Sequence, residues 1–140
     1  MPKTTAMILG DIYDAWRAQD VDWLASYLPN DFSHIINVPA SIGPTAGSCY
    51  GKKSVIDRWR AVMADFEFLM FDTSGLMTER NRAAAEIPFR YRHRASGKLF
   101  EMTKGTFWTL EDGWPVRLTE YYDLAYIQSF STSLAGEDVA

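Results

Sequence analysis

A single cysteine, Cys49, and two histidines, His34 and His93, are all the thiol and imidazole groups in this 140-residue chain. One thiol excludes an intrachain disulfide and a cysteine-based metal cluster, and the two histidines have no metal-ligand spacing. No metal and no cofactor is therefore expected. Positive charge is also scarce, since 14 Lys and Arg stand against 18 Asp and Glu for a net charge of −4. A phosphate backbone calls for the opposite balance, so no nucleic acid is expected as a partner. No apolar run approaches the ~18 residues of a membrane span, and no basic-then-apolar leader opens the sequence. The expectation is a cytoplasmic protein with no membrane partner. Repeats, linkers and low-complexity tracts are missing too, which predicts one domain over residues 1–140, with 136–140 a frayed tail.

Apolar and aromatic residues are plentiful. Hydrophobic residues make up 47% and aromatic residues 14%, including five Trp, seven Tyr and eight Phe. A chain of this length buries roughly two thirds of its unfolded surface, so this supply fills a core and leaves side chains to line a cavity. The first third has helical periodicity. Ile8, Ile12, Ala15 and Trp16 share a stripe behind an N-cap at Thr4 or Thr5, and Asp20 caps a short helix that Pro29 stops. Phe32 to Val38 reads as a strand. Pro39 to Cys49, with Gly43, Pro44 and Gly47, reads as a mobile loop. A third helix follows Gly51, with Val55, Ile56, Trp59 and Met63 inward. From Phe66 the period becomes two, with strands over 66–79, 83–94, 99–110 and 116–123, and a helical turn or two over Leu124 to Phe130. Helices followed by an antiparallel meander give an α+β fold.

The alternation also says which way each strand faces. A two-residue Ser96-Gly97 turn pairs Tyr91 with Met102, Phe89 with Lys104 and Ile87 with Thr106. One face then gathers Ala85, Ile87, Phe89, Tyr91, Phe100, Met102, Thr106 and Trp108, with Lys104 its one charged member. The other gathers Arg90, Arg92, Arg94, Glu101 and Thr103, a solvated or dimer-forming surface. For the second hairpin, a two-residue Asp112-Gly113 turn would set Trp108 against Arg117 and mix the faces. A three-residue Asp112-Gly113-Trp114 loop pairs Trp108 with Leu118 and Thr106 with Glu120, and keeps them sorted.

Lys104 and Glu120 thus share the inward face as diagonal neighbours, about 7–8 Å apart at the backbone. Three roles are open. Glu120 serves as a general acid or base, its pKa raised by burial and lowered by Lys104. The two form an internal ion pair that fixes strand register. Lys104 snorkels to the rim. Tyr122, Tyr91 and Tyr13 are core aromatics or phenol donors toward a ligand carbonyl or oxyanion. His34 lies on a strand whose facing the pattern leaves open, because Ile35 and Asn37 alternate with His34 and Ile36. Asn37 either caps the turn before Pro39 or binds a ligand oxygen. His93, next to a turn, is expected to be exposed, and Asp123 has outward parity and a strand-end role.

The stretch from Ser96 to Asp123, ending in Glu120-Tyr121-Tyr122-Asp123, resembles the closing hairpin of the SnoaL-like group in the nuclear-transport-factor-like (cystatin-like α+β cone) superfamily. The order helix, helix, strand, helix and four strands is also that superfamily's order. The resemblance implies three N-terminal helices packed on a strongly bent, mostly antiparallel sheet around an internal pocket. Ketosteroid isomerases, limonene-epoxide hydrolases and polyketide cyclases are among the related families. Asn37-Val38-Pro39 is similar to the segment carrying the water-binding asparagine of the epoxide hydrolases, and Glu120 stands at their terminal catalytic carboxylate. Their arginine and second aspartate fall at Ile87 and Phe89, which are apolar here. The isomerase base has no aspartate counterpart between Phe32 and Pro39, and the aspartate of the fourth sheet segment aligns with Thr106.

The reading is a homodimeric cone that binds a small apolar molecule bearing a carbonyl or hydroxyl group. Glu120, Lys104 and Tyr122 are its candidate catalytic residues. Asn37, Ile87, Phe89, Tyr91, Met102, Thr106, Trp108, Leu118, His34 and Tyr13 are its candidate ligand contacts. As an enzyme it would be an isomerase, lyase, cyclase or hydrolase using Glu120 as acid or base. The alternatives are a non-catalytic ligand-binding domain and a dimerisation domain.

Overall fold

Helix α1 (Thr5–Arg17) starts where Thr4 Oγ1 accepts the Met7 N–H, one of the first-turn donors left without an intrahelical partner. It buries Ile8, Leu9, Ile12, Tyr13 and Ala15. Asp20 caps α2 (Val21–Tyr27) in the same way through Trp23 N–H. Helix α3 (Lys52–Asp65) begins after Gly51, whose φ of 88° favours glycine, and turns Val55, Ile56, Trp59 and Met63 into the core. The computed structural model describes residues 3–43 and 45–139, with side chains through 136; Pro44 and Ala140 lie outside the described residues. No helix among them is long and apolar enough to cross a membrane.

Among the described residues, seven strands form one mixed, open sheet: β1 (Ser33–Ile36), β2 (Cys49–Tyr50), β3 (Phe66–Phe71), β4 (Met77–Glu79), β5 (Arg82–His93), β6 (Leu99–Glu111) and β7 (Trp114–Tyr121). Their order is β2-β1-β7-β6-β5-β3, with β4 also on β5. Only β1 and β7 run parallel, with Ile36 beside Glu120. The helices cover one face of this sheet and the architecture is an α+β cone. The segment expected as one strand over 66–79 is broken, because Asp72 Oδ1 accepts the Ser74 N–H and turns the chain between β3 and β4.

Both hairpins differ instructively from expectation. Tyr91 pairs with Phe100 and Phe89 with Met102, each two residues earlier on β6 than a Ser96-Gly97 turn requires. The turn is longer: His93 O accepts Gly97 N–H at 2.7 Å and His93 N–H reaches Lys98 O at 2.8 Å. A shift of two leaves every side chain on its own face, which is why the inward set survives. At the β6–β7 end, Trp108 does face Leu118 and Thr106 faces Glu120, but the connection is a two-residue Asp112-Gly113 turn. Positive φ at both residues, 51° and 81°, makes it type I′. An irregularity between Thr109 and Leu110 takes up the extra residue and restores the sorted faces.

Beyond β7, Asp123 Oδ1 accepts Tyr126 N–H at 3.1 Å and starts helix α4 (Leu124–Val139). This helix is far longer than the expected turn or two. Its length escapes pattern reading because its apolar side chains meet an aromatic cluster from distant strands. Phe130 lies 5.0 Å from Phe100 and 6.2 Å from Phe66, ring centre to ring centre.

Candidate functional site

Glu120 projects from β7 into the hollow between sheet and helices and is only 3% exposed. On β6, Thr106 stands directly opposite it and Lys104 diagonally, and on β1 His34 takes the diagonal position on the other side. Tyr122 follows two residues later, just past the end of β7. Period-two alternation and strand pairing thus carry four polar groups to one carboxylate.

Every acceptor position of that carboxylate is used. Oε1 accepts from His34 Nε2 at 2.8 Å and from the Tyr122 hydroxyl at 3.0 Å. Oε2 accepts from Thr106 Oγ1 at 2.8 Å and pairs with Lys104 Nζ at 2.9 Å. Helix α3 completes the cluster, for Trp59 Nε1 donates to His34 Nδ1 at 3.1 Å. An indole N–H has no acceptor function, so His34 Nδ1 is the acceptor and Nε2 carries the proton given to Glu120. His34 is therefore the neutral Nε2–H tautomer. Lys104, 5% exposed, does not reach solvent and does not snorkel. Its ammonium lies 5.0 to 5.5 Å from the ring centres of Phe71, Phe89 and Tyr122, whose electron-rich faces share its charge.

These contacts set the electrostatics. Burial alone would push the Glu120 carboxyl upward, but Lys104 and the His34 hydrogen bond outweigh it and hold the group well below the ordinary carboxylate range. Burial raises the Tyr122 phenol well above its ordinary value, and the neighbouring Glu120 charge raises it further. At neutral pH the carboxylate is thus ionised while the neighbouring phenol keeps its proton. Among the described residues, no group of three or more His, Cys, Asp or Glu side chains is placed to hold a metal.

The cluster borders a cavity of about 490 Å³. Of the residues expected from sequence, His34, Lys104, Glu120, Tyr122, Tyr13, Phe89, Tyr91, Trp108 and Leu118 line it. Four others do not. Ile87 is wholly buried, Met102 is half-buried, and Thr106 supports Glu120 without reaching the hollow. Asn37 points away, exposed, and its amide bonds the Tyr122 backbone both ways, Nδ2 to O at 3.1 Å and Tyr122 N–H to Oδ1 at 2.8 Å. It extends the β1–β7 ladder by a side chain and is not among the residues that line the cavity. His93 reverses another expectation, since it is half-buried, lines the cavity and braces the β5–β6 turn through Ser96.

Sequence reasoning missed Trp16, Trp59 and the wall supplied by Ile127, Phe130 and Leu134 of α4. It also missed the loop after β1, where Ile42, Thr45 and Ala46 line the cavity and Arg58 donates to the carbonyls of Ala46 and Gly47 at 2.9 and 2.8 Å. A signal for Trp59 was present, as it shares the inward stripe of α3. Nothing local announces its bond to a histidine 25 residues away.

Solved structures carry the same architecture. A candidate isomerase from Rhodopseudomonas palustris superposes with a TM-score of 0.80 at 16% identity, covering 91% of this chain and 98% of the other. A candidate polyketide cyclase from Pseudomonas putida gives 0.77 at 20% identity, with 91% and 97% covered. A protein of ketosteroid isomerase-like fold from Catenulispora acidiphila, in complex with trimethylamine, gives 0.73 at 11%, with 93% and 95% covered. At these identities the likeness is one of fold. No curated protein sequence matches the chain. The family model for the SnoaL-like domain matches residues 9–121, a span that carries His34, Trp59, Lys104 and Glu120 together with the strands that bring them into register. By that match over most of its length, the chain belongs to the SnoaL-like domain family.

Proposed function

We propose that this protein binds a small apolar molecule bearing a carbonyl group in its cavity and moves a proton on the carbon beside that carbonyl, as an isomerase or cyclase does. The observation that carries the reading is a buried carboxylate with an ammonium and a phenol within 3 Å, all bordering one hydrophobic hollow. The isomerase and cyclase names among its structural neighbours support the same class.

The resting carboxylate is a weak base because four donors occupy it. A ligand carbonyl arriving beside Lys104 offers Tyr122 a new acceptor, and rotation of the phenol O–H onto it frees one lone pair of Glu120 Oε1. Lys104 then shares its charge with the ligand oxygen, and burial drives the carboxylate toward a higher proton affinity. The α C–H bond breaks, its proton passes to Glu120, and the electron pair moves to the carbonyl oxygen as an enolate held by Lys104 and Tyr122. Return of the proton to a different carbon isomerises the ligand; attack of the enolate carbon on a second carbonyl closes a ring.

Deuterium wash-in at the α-carbon of 1,4-diphenylbutan-1-one, followed by proton NMR, tests this. Glu120→Gln is expected to slow exchange by at least about 100-fold while affinity for the ketone stays within a few-fold. Exchange unchanged by Glu120→Gln overturns the proposal. The complete saturation of Glu120 favours a second reading, a non-catalytic carrier. That reading predicts binding with no exchange above the background of buffer. We also propose a homodimer through the outer face of the sheet. There Phe107 and Tyr121, 50% and 53% exposed, meet edge to face at 5.9 Å. Light scattering on Phe107→Glu is expected to show monomers where the native protein gives dimers.

A further inference from the structure

Away from Glu120, the cavity wall holds two more phenols whose hydrogen bonding is half used. Tyr13 accepts Trp108 Nε1–H at 2.7 Å, and Tyr91 accepts Trp16 Nε1–H at 2.9 Å. Each phenol oxygen is thereby an acceptor, and its own O–H remains to be given away. Neither hydroxyl proton meets an acceptor among the described residues. Both phenols are buried and line the cavity. Burial is the main cause raising the pKa of each, so both keep their protons at neutral pH.

The other polar groups of the buried wall are spent or are donors; the exposed Asp65 and the half-buried Thr45, His93 and Ser131 also line the hollow and offer acceptors only where solvent reaches them. Glu120 has four donors on it, and His34 has given its proton to Glu120 and accepted one from Trp59. Of the three N–H bonds of Lys104, Glu120 and Tyr122 occupy two. What the buried wall holds out to a guest is therefore a set of donors: two phenol O–H groups and one ammonium N–H.

We propose that the cavity selects an apolar molecule with at least two carbonyl or ether oxygens and no hydroxyl or amine, and that Tyr13 and Tyr91 form a second acceptor-binding subsite beside that of Lys104 and Tyr122. This rests on the reading above that the cavity is the ligand site. A second carbonyl satisfies a donor that is otherwise unmatched, whereas a hydroxyl or amine set against the buried wall finds no free acceptor there and is left without a partner. Accepting an indole N–H also polarises each phenol and strengthens the bond it gives.

Four probes of similar shape test it by calorimetric titration: 1,4-diphenylbutane, 1,4-diphenylbutan-1-one, 1,4-diphenylbutane-1,4-dione and 1,4-diphenylbutane-1,4-diol. The dione is expected to bind roughly three- to tenfold more tightly than the monoketone, and the diol more weakly than the dione. Tyr13→Phe or Tyr91→Phe removes that gain, with affinity for 1,4-diphenylbutane retained as the control for folding. A dione no tighter than the monoketone, a gain untouched in both Phe variants, or a diol as tight as the dione overturns the subsite while leaving the proton-transfer reading standing. If none of the four binds, the cavity itself is not the ligand site, and both proposals fall.

Discussion

Lys104 and Glu120 are each nearly wholly buried, and each is tolerable in the interior because the other is there. Removing one partner strands the other charge. Lys104→Met is expected to cost about 3–5 kcal/mol in urea denaturation. The double variant Lys104→Met/Glu120→Gln is expected to recover much of that loss, since no charge is left unpaired. Trp59 acts one step further out. Its N–H fixes which nitrogen of His34 carries the proton, and so keeps His34 a donor to Glu120. Nitrogen NMR of the imidazole at neutral pH is expected to show the Nε2–H tautomer in the native protein and a loss of that fixed form in Trp59→Phe. A charged ring in the native protein would contradict this arrangement.

At the scale of elements, α4 hangs on a small number of identifiable contacts. Asp123 caps its first turn and Tyr126 Oη accepts the Glu101 N–H at 2.9 Å. Asp123→Ala is expected to cost about 1 kcal/mol, read from denaturation midpoints. The strands show what alternation does and does not encode. It sorts Phe89, Tyr91, Lys104 and Glu120 inward without ambiguity, but a register error of two residues preserves that sorting. Turn length at His93 to Lys98 and the irregularity at Thr109 were therefore invisible to it. Lys104 with Glu120 was legible because charges are rare at inward positions. His34 was not, because its facing follows from the parallel pairing of β1 with β7, between residues 86 apart for the bond that results. The wall formed by α4 was equally beyond local pattern, since only the folded aromatic cluster holds that helix in place.

For the whole molecule, the buried titrating groups set both ends of the stability range. An unfolded glutamate titrates near about 4.3, and Glu120 in the fold lies below that range. Its stabilising contribution is thus complete above the unfolded value and lost as pH falls through the folded one. Tyr91 and Tyr122 lie on the other side. Burial first, and the Glu120 charge with it, raises them above the unfolded value of about 10. Their contribution is complete below that value and is lost as pH rises through the folded one. Urea midpoints plotted against pH should form a plateau that falls away below about pH 4 and above about pH 10. Glu120→Gln is expected to lower the plateau by leaving Lys104 unpaired, to soften the acid flank, and to move the alkaline flank, since the charge that helps raise Tyr91 and Tyr122 is gone. An acid flank as steep in the variant as in the native protein would assign it to other carboxylates.

Three of the five tryptophans, Trp16, Trp59 and Trp108, border the hollow, while Trp23 and Trp114 lie outside it on either side of Tyr27. Each of the inner three hands its N–H to a phenol or an imidazole on the same wall. The protein consequently carries its own optical gauge. An added compound that settles among these indoles alters the emission of three fluorophores against an unchanging signal from two, so occupancy of the hollow can be followed in unlabelled protein.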